Sequence, residues 1–271
     1  MNDSKVKTLV LLLLGVAVLG ALWYFRDELL PAGDEPATPA LAPPAAEAPA
    51  PSGPVHPLGA SDAGQPFDGE LVPLPDLDDS DSYFRLALID TFGAELGSVL
   101  VSEALIDKFV ATVDNLPRKH VPEKIRPVGK LQGPFNVEAT DDKEQFYLAA
   151  DNYGRYDLLV GVLSRTDPAA IVASYRRFYP LLQESYVRLG YPDGYFNDRV
   201  VEVIDHLLLA PTPDEPLLLV QPHVLYEFAD PQLEALSSGQ KLMLRMGSTH
   251  AATIKRVLQD LRALITQPQA L

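Results

Sequence analysis

The chain has 271 residues, 47% of them hydrophobic, and carries 22 Lys or Arg against 37 Asp or Glu, for a formal net charge of −15. An acidic chain repels phosphate backbones, so no nucleic acid partner is expected. There is no cysteine, which removes disulfides, thiolate metal sites and a cysteine nucleophile together.

Residues 8–25, TLVLLLLGVAVLGALWYF, form an uncharged run with no polar side chain after Thr8 and no proline. As a helix this run is about 27 Å long, close to the hydrocarbon thickness of a bilayer. Lys5 and Lys7 precede it, which places residues 1–7 in the cytoplasm, and the rings of Trp23, Tyr24 and Phe25 suit the membrane–water boundary. The run predicts an uncleaved single-pass anchor. The competing reading is a cleaved signal peptide, against which the apolar stretch continues past Val18-Leu19-Gly20 into bulky aromatics.

Residues 26–75 read as a disordered linker. From 31 to 75 the chain carries twelve prolines, six acids and no Lys or Arg, and few bulky apolar groups are present to offset the entropy of ordering. As a tether, residues 31–75 reach between about 40 Å as a coil and about 140 Å fully extended. Pro36-Ala37-Thr38-Pro39 fits a PxxP ligand, although plain spacer is the simpler reading.

Residues 76–266 predict one mainly helical domain with one or two small β-hairpins, followed by a short tail, 267–271. About 190 residues are enough for a core without disulfides. Ser80 and Asp81 offer caps to a first helix with Phe84, Leu88 and Phe92 on one stripe. Ser102 caps a second helix, with Val101 stapled to Ile106; Ile106, Phe109, Val110, Val113 and Leu116 face inward, and Pro117 ends it.

Residues 118–130, RKHVPEKIRPVGK, are irregular and hold five Lys or Arg residues with one acid. Arg118, Lys119, His120, Lys124, Arg126 and Lys130 form a candidate site for an anionic group or an acidic partner surface. The plainer alternative is that they pair with the domain's own carboxylates.

Alternation in FNVEA and QFYL around a polar turn predicts a hairpin. Helical spacing resumes over residues 152–165. Asp167-Pro168 opens a long helix carrying Ile171, Tyr175, Phe178, Leu182 and Leu189, in which Pro180 predicts a kink. Tyr191-Pro192-Asp193-Gly194 is a turn. Asn197 caps the next helix, with Val200, Ile204, Leu207 and Leu208 inward. Residues 217–221 and 224–228 suggest two more strands, and Asp230-Pro231 a helical turn. Ser237 and Gln240 make a capping box. Gly247 stops that helix and Ser248 caps the last, whose core stripe is Ile254, Val257, Leu258, Leu261 and Ile265 with Lys255, Arg256 and Arg262 outward.

The segments VDNLPRKHVPEKIRPV, RYDLLV, YRRFYPLLQESYVRLGYPD, FNDRVVEVIDHLLLAPTP and VLYEFADPQLEALSSGQKLMLRMG, in that order, resemble the bacterial family known as domain of unknown function 3014. The resemblance spans about residues 76–262. It implies a fold and a bacterial envelope location: an inner-membrane anchor with the soluble domain in the periplasm. It implies no activity.

No GxSxG occurs, and no histidine pair has zinc-ligand spacing. Gly247-Ser248 followed by His250 fits a helix stop and cap. Glu202 and His206 lie four apart with Asp205 adjacent, so a carboxylate and an imidazole share a helix face. These three, with His120, are the candidate acid–base residues if the chain is an enzyme acting on an envelope polymer. No cofactor or metal is expected. The first reading is a non-enzymatic module that binds a partner protein or envelope component, of undetermined oligomeric state.

Overall fold

A computed structural model describes residues 53–58, 73–129, 133–142, 144–213 and 215–267. The apolar run 8–25, Lys130 and the last residues of the tail lie outside the described residues. Among the described residues no helix is long and apolar enough to cross a membrane.

The domain is mainly helical, with nine α-helices and four short strands among the described residues: α1 (Asp81–Phe92), α2 (Leu105–Asn115), β1 (Val137–Ala139), β2 (Gln145–Leu148), α3 (Asp151–Gly154), α4 (Asp157–Arg165), α5 (Pro168–Arg188), α6 (Phe196–Leu208), β3 (Leu218–Val220), β4 (Glu227–Phe228), α7 (Pro231–Glu234), α8 (Ser238–Arg245) and α9 (Gly247–Ile265). The two longest helices, α5 and α9, pack together. Around them, α5 gathers α1 and α2, while α9 gathers α4, α6 and α8.

Apolar periodicity drives this packing. Phe84, Leu88 and Phe92 of α1 are buried, and the Phe84 ring meets Phe178 of α5 edge to face at 5.0 Å. The inward stripes of α2 and α9 are buried as their spacing predicts. α5 starts where Asp167-Pro168 predicts, with the Asp167 carboxylate accepting from Ala169 N–H at 3.0 Å. It continues as helix through Pro180. Leu189 lies just beyond its end and is exposed.

Three caps differ from their sequence reading. α2 begins at Leu105, not Ser102, because Asp81 supplies its cap from another helix: the Asp81 carboxylate accepts from Ala104 N–H at 2.8 Å and Leu105 N–H at 2.6 Å. Asn197 is not the N-cap of α6. It lies one residue inside the helix, fully buried. Its amide donates to the Ile265 carbonyl at 3.3 Å and accepts from the Tyr175 hydroxyl at 3.1 Å. The capping box of Ser237 and Gln240 is present. Ser248 caps nothing, since α9 already begins at Gly247.

The start of α8 meets the end of α2. Ser238 N–H donates to the Arg118 carbonyl at 2.8 Å and Gly239 N–H to the Leu116 carbonyl at 3.0 Å. Helix termini leave backbone donors and acceptors without intrahelical partners. Here the orphan donors of one helix satisfy carbonyls at the end of another. Gly239 permits the approach, because a Cβ there would stand 2.6 Å from a Leu207 methyl and 3.2 Å from the Leu116 carbonyl oxygen.

The hairpins are not separate. β1, β2, β3 and β4 form one antiparallel sheet in that order, with Phe146 opposite Leu219 joining the two halves. A lone hairpin is marginal in water, and this sheet gains a second small core from Leu148, Leu217, Leu219, Phe228 and Leu244. Residues 53–58, within the span read as a free linker, lie against the start of α6, with Leu58 packed on the main core.

Candidate functional site

Between the sheet and the α8–α9 corner lies a groove of ≈ 330 Å³. Its floor is apolar, from Leu148, Leu217, Met243, Leu244 and Ala251. One wall is the proline-rich segment after α6, with Pro211, Pro213 and Pro216. Proline has no N–H and a fixed φ, so this wall is stiff. Tyr147 from β2 and Tyr153 from α3 also line the groove. The Tyr153 ring lies over the backbone of Gly247, whose φ of +81° opens α9 and whose hydrogen faces the ring where a Cβ would stand 3.0 Å away.

The charged side chains that line the groove among the described residues are acidic, and Lys255 stands beside it, donating to the Thr212 hydroxyl at 3.2 Å. Glu138 and Glu215 line it, and no Lys, Arg or His does so among the described residues. Burial, and then the negative charge of Glu138, raise the Tyr153 hydroxyl above its ordinary pKa. Tyr153 therefore stays neutral at physiological pH, and with Tyr147 it offers ring faces and hydroxyls beside two carboxylates. Among the described residues no group of three His, Asp or Glu is gathered as a metal site.

The residues singled out by sequence lie elsewhere. Residues 118–129 form a packed segment rather than a free loop. Val121 and Val128 are buried, and Thr112 of α2 donates its hydroxyl to the Ile125 carbonyl at 2.8 Å. Arg126 is buried and donates to the Val121 carbonyl at 2.9 Å. Arg118 donates to the Asp114 carboxylate at 2.5 Å and to the Tyr191 hydroxyl at 3.0 Å. Lys119 donates to the Ala235 carbonyl. His120 is half-buried and Lys124 is exposed. Lys130 is outside the described residues.

Asp114 organises the region. Its side chain is 3% exposed and also accepts from Arg199 Nε at 2.9 Å and the Tyr191 hydroxyl at 3.1 Å. Arg199 reaches on to Glu202 at 2.7 Å. The Tyr191 ring stacks on Tyr186 at 4.6 Å, where burial, with the nearby Asp114 charge, pushes the Tyr186 hydroxyl up to about 12.

The three candidate acid–base residues of α6 each bond a different partner. Glu202 pairs with Arg199, Asp205 takes Arg262 in a two-point contact at 2.5 and 2.8 Å, and His206 Nε2 lies 2.8 Å from the Ser237 hydroxyl. None of them lines the groove. Arg262, read as outward-pointing, is thus held by Asp205. Lys255 donates to the Ala210 carbonyl at 2.5 Å.

A family model described as "protein of unknown function (DUF3014)" matches residues 105–262, more than half of the chain. The chain belongs to this family. No curated protein and no solved structure matches it. The DUF3014 span contains the whole groove, the Asp114 cluster and the α6 residues, and leaves α1 and residues 53–58 outside.

Within the DUF3014 span His206 has a pH consequence. Burial, helped by the positive charge of Arg199, lowers its pKa below 6.5. The unfolded chain therefore takes up a proton before the folded one does. The stabilising effect is fully present above the unfolded imidazole value and is lost as pH falls through it toward the folded value. Urea midpoints should fall between pH 7.5 and pH 5.5, and His206→Gln, which keeps a polar partner for Ser237, should flatten that fall. Equal slopes for the two proteins would remove His206 as the cause.

The groove escaped the sequence because its carboxylates and tyrosines come from four separated segments: Glu138, Tyr147, Tyr153 and Glu215. The one local sign was Tyr147, an aromatic on the outward register of a short strand.

Proposed function

We propose that this DUF3014 chain is a single-pass, membrane-tethered envelope protein whose helical domain is a non-enzymatic binding module, and that its groove takes a Lys or Arg side chain of a partner protein. The apolar run at residues 8–25 and the proline-rich stretch after it support the tethered reading. The observation that carries the binding reading is the groove itself: two carboxylates and two tyrosines around an apolar floor, with no basic group among its described lining. A cation with an aliphatic stem fits each part. The stem packs on Leu148, Leu217 and Met243, the charge meets Glu138 and Glu215, and the tyrosine faces add cation–π attraction of about 0.5–1 kcal/mol each.

An enzyme using Glu202, Asp205 and His206 would need those groups to converge on a cleft. Each is instead bonded to its own structural partner.

The test is calorimetric titration of the full chain, in detergent micelles, with a hexalysine peptide and its fully acetylated counterpart. Binding of hexalysine alone is expected. Glu138→Gln with Glu215→Gln should weaken it by up to about thirtyfold, the loss of two exposed ion pairs of up to about 1 kcal/mol each. Tyr147→Ala should weaken it several-fold. Equal affinity in the wild type and the double carboxylate variant would overturn the assignment of the groove.

A further inference from the structure

Residues 53–58 run Gly-Pro-Val-His-Pro-Leu and sit far in sequence from what they touch. The N–H groups of Val55 and His56 both donate to the Asp198 carboxylate, at 2.9 and 2.7 Å, one to each oxygen. The side-chain amide of Asn197 donates to the His56 carbonyl at 2.8 Å. In an extended strand successive N–H groups point to opposite sides. Here the chain bends at Val55 and His56, and both donors converge on one anion. Paired backbone donors of this kind form an anion-binding concavity, and the anion is a side chain of the domain.

We propose that Asn197 and Asp198 form a peptide-backbone clamp, and that its resident ligand is the Pro54-Val55-His56-Pro57 bend of this same chain, which latches the tether to the domain. The clamp selects a chemical pattern: two adjacent backbone donors followed by a carbonyl acceptor. No side chain of Val55 is needed, and Val55 is 73% exposed. The prolines on either side fix φ and have no N–H of their own, so the bend is ordered at low entropic cost and offers few competing donors.

The receiving side is built for this. Asn197 is fully buried, and its amide reaches the Tyr175 hydroxyl and the Ile265 carbonyl as well as His56. Its orientation is therefore set by α5 and α9 whether or not the bend is seated. Asp198 lies in the first turn of α6, at the helix end that attracts negative charge. Fourteen residues, 59–72, connect the bend to the domain. A connection that short holds a ligand at an effective concentration in the millimolar range, so a clamp too weak to hold a free peptide is still filled by its own chain. Nothing in this inference depends on the groove, which lies among other elements.

The test is amide hydrogen exchange by NMR on the full chain in detergent micelles, at two protein concentrations tenfold apart. The Val55 and His56 amides should exchange at least about tenfold more slowly than an unstructured peptide of the same sequence, equally at both concentrations. His56→Pro removes one clamped donor from the tether and leaves the helices untouched. Asp198→Asn weakens the acceptor. Each variant should bring the Val55 amide to within about twofold of the unstructured rate, while amides of α5 and α9 stay protected in His56→Pro. Fast exchange of Val55 and His56 in the wild type would overturn the latch. So would protection that survives His56→Pro, or protection lost on dilution, which would place the bend in a second copy's clamp.

Discussion

Asp114→Asn should lower the unfolding free energy by about 3 kcal/mol, the low end of what removing one partner of a buried ion pair costs. Asp114 is nearly inaccessible and takes hydrogen bonds from Arg118, Arg199 and Tyr191 at 2.5, 2.9 and 3.1 Å. Arg199 also donates to the Asp114 backbone carbonyl at 2.8 Å, so its guanidinium cannot swing away without breaking a second bond. Asparagine keeps the volume and removes the charge, leaving a guanidinium only 22% exposed with Glu202 as its remaining counterion. Glu202 is 67% exposed and screened by solvent, which is why the loss is large and why it is not larger. The control is Arg118→Ala. Arg118 is 52% exposed, and its removal should cost less than about 1 kcal/mol. Urea unfolding of the three proteins decides the matter. Equal losses for Asp114→Asn and Arg118→Ala would mean that burial of the carboxylate is not what makes this cluster matter.

Gly239→Val should cost about 2–3 kcal/mol, the upper range for forcing extra atoms into a packed core. A valine's first carbon would meet a Leu207 methyl at 2.6 Å, and Leu207 is itself fully buried. The second obstacle is backbone: the Leu116 carbonyl oxygen at 3.2 Å cannot rotate out of the way, because it accepts from Gly239 N–H. The variant must part the α2–α8 junction or displace Leu207. Gly161→Ala is the contrasting case. It sits within α4, where only the tip of Arg165 would come near the new methyl, at 4.0 Å, so the substitution should stabilise by up to about 1 kcal/mol through helix propensity. Thermal melts of both variants test the pair. A neutral Gly239→Val would show that the junction yields freely.

The parts of the fold legible in sequence were those carried by one segment. The stripes of α2 and α9, the Asp167-Pro168 start and the Ser237–Gln240 box each depend on residues within a few positions of one another. What escaped depends on partners far along the chain. Asn197 looks like a cap beside a helix start, and nothing local says that Ile265 and Tyr175 will bury it. Ser102 looks like a better cap than Ala104, because the group that caps α2 is Asp81 on another helix. The two hairpins are joined by the pairing of β2 with β3, across more than seventy residues. The basic stretch stood out as a charge anomaly, but its counterion Asp114 reads in sequence as an ordinary polar residue near a helix end. The groove has no segment of its own at all.

The cap on α2 has a practical side. The match to the family model begins at Leu105, the residue whose N–H Asp81 holds. A fragment cut at that boundary would lose its first helix-closing acceptor, and Phe178 would lose the ring it packs against. Leu77, Phe84, Leu88 and Leu96 all belong to the same core as Ile254 and Ile265. The packed unit is therefore longer than the span that the family model matches, and an expression boundary belongs ahead of Leu77.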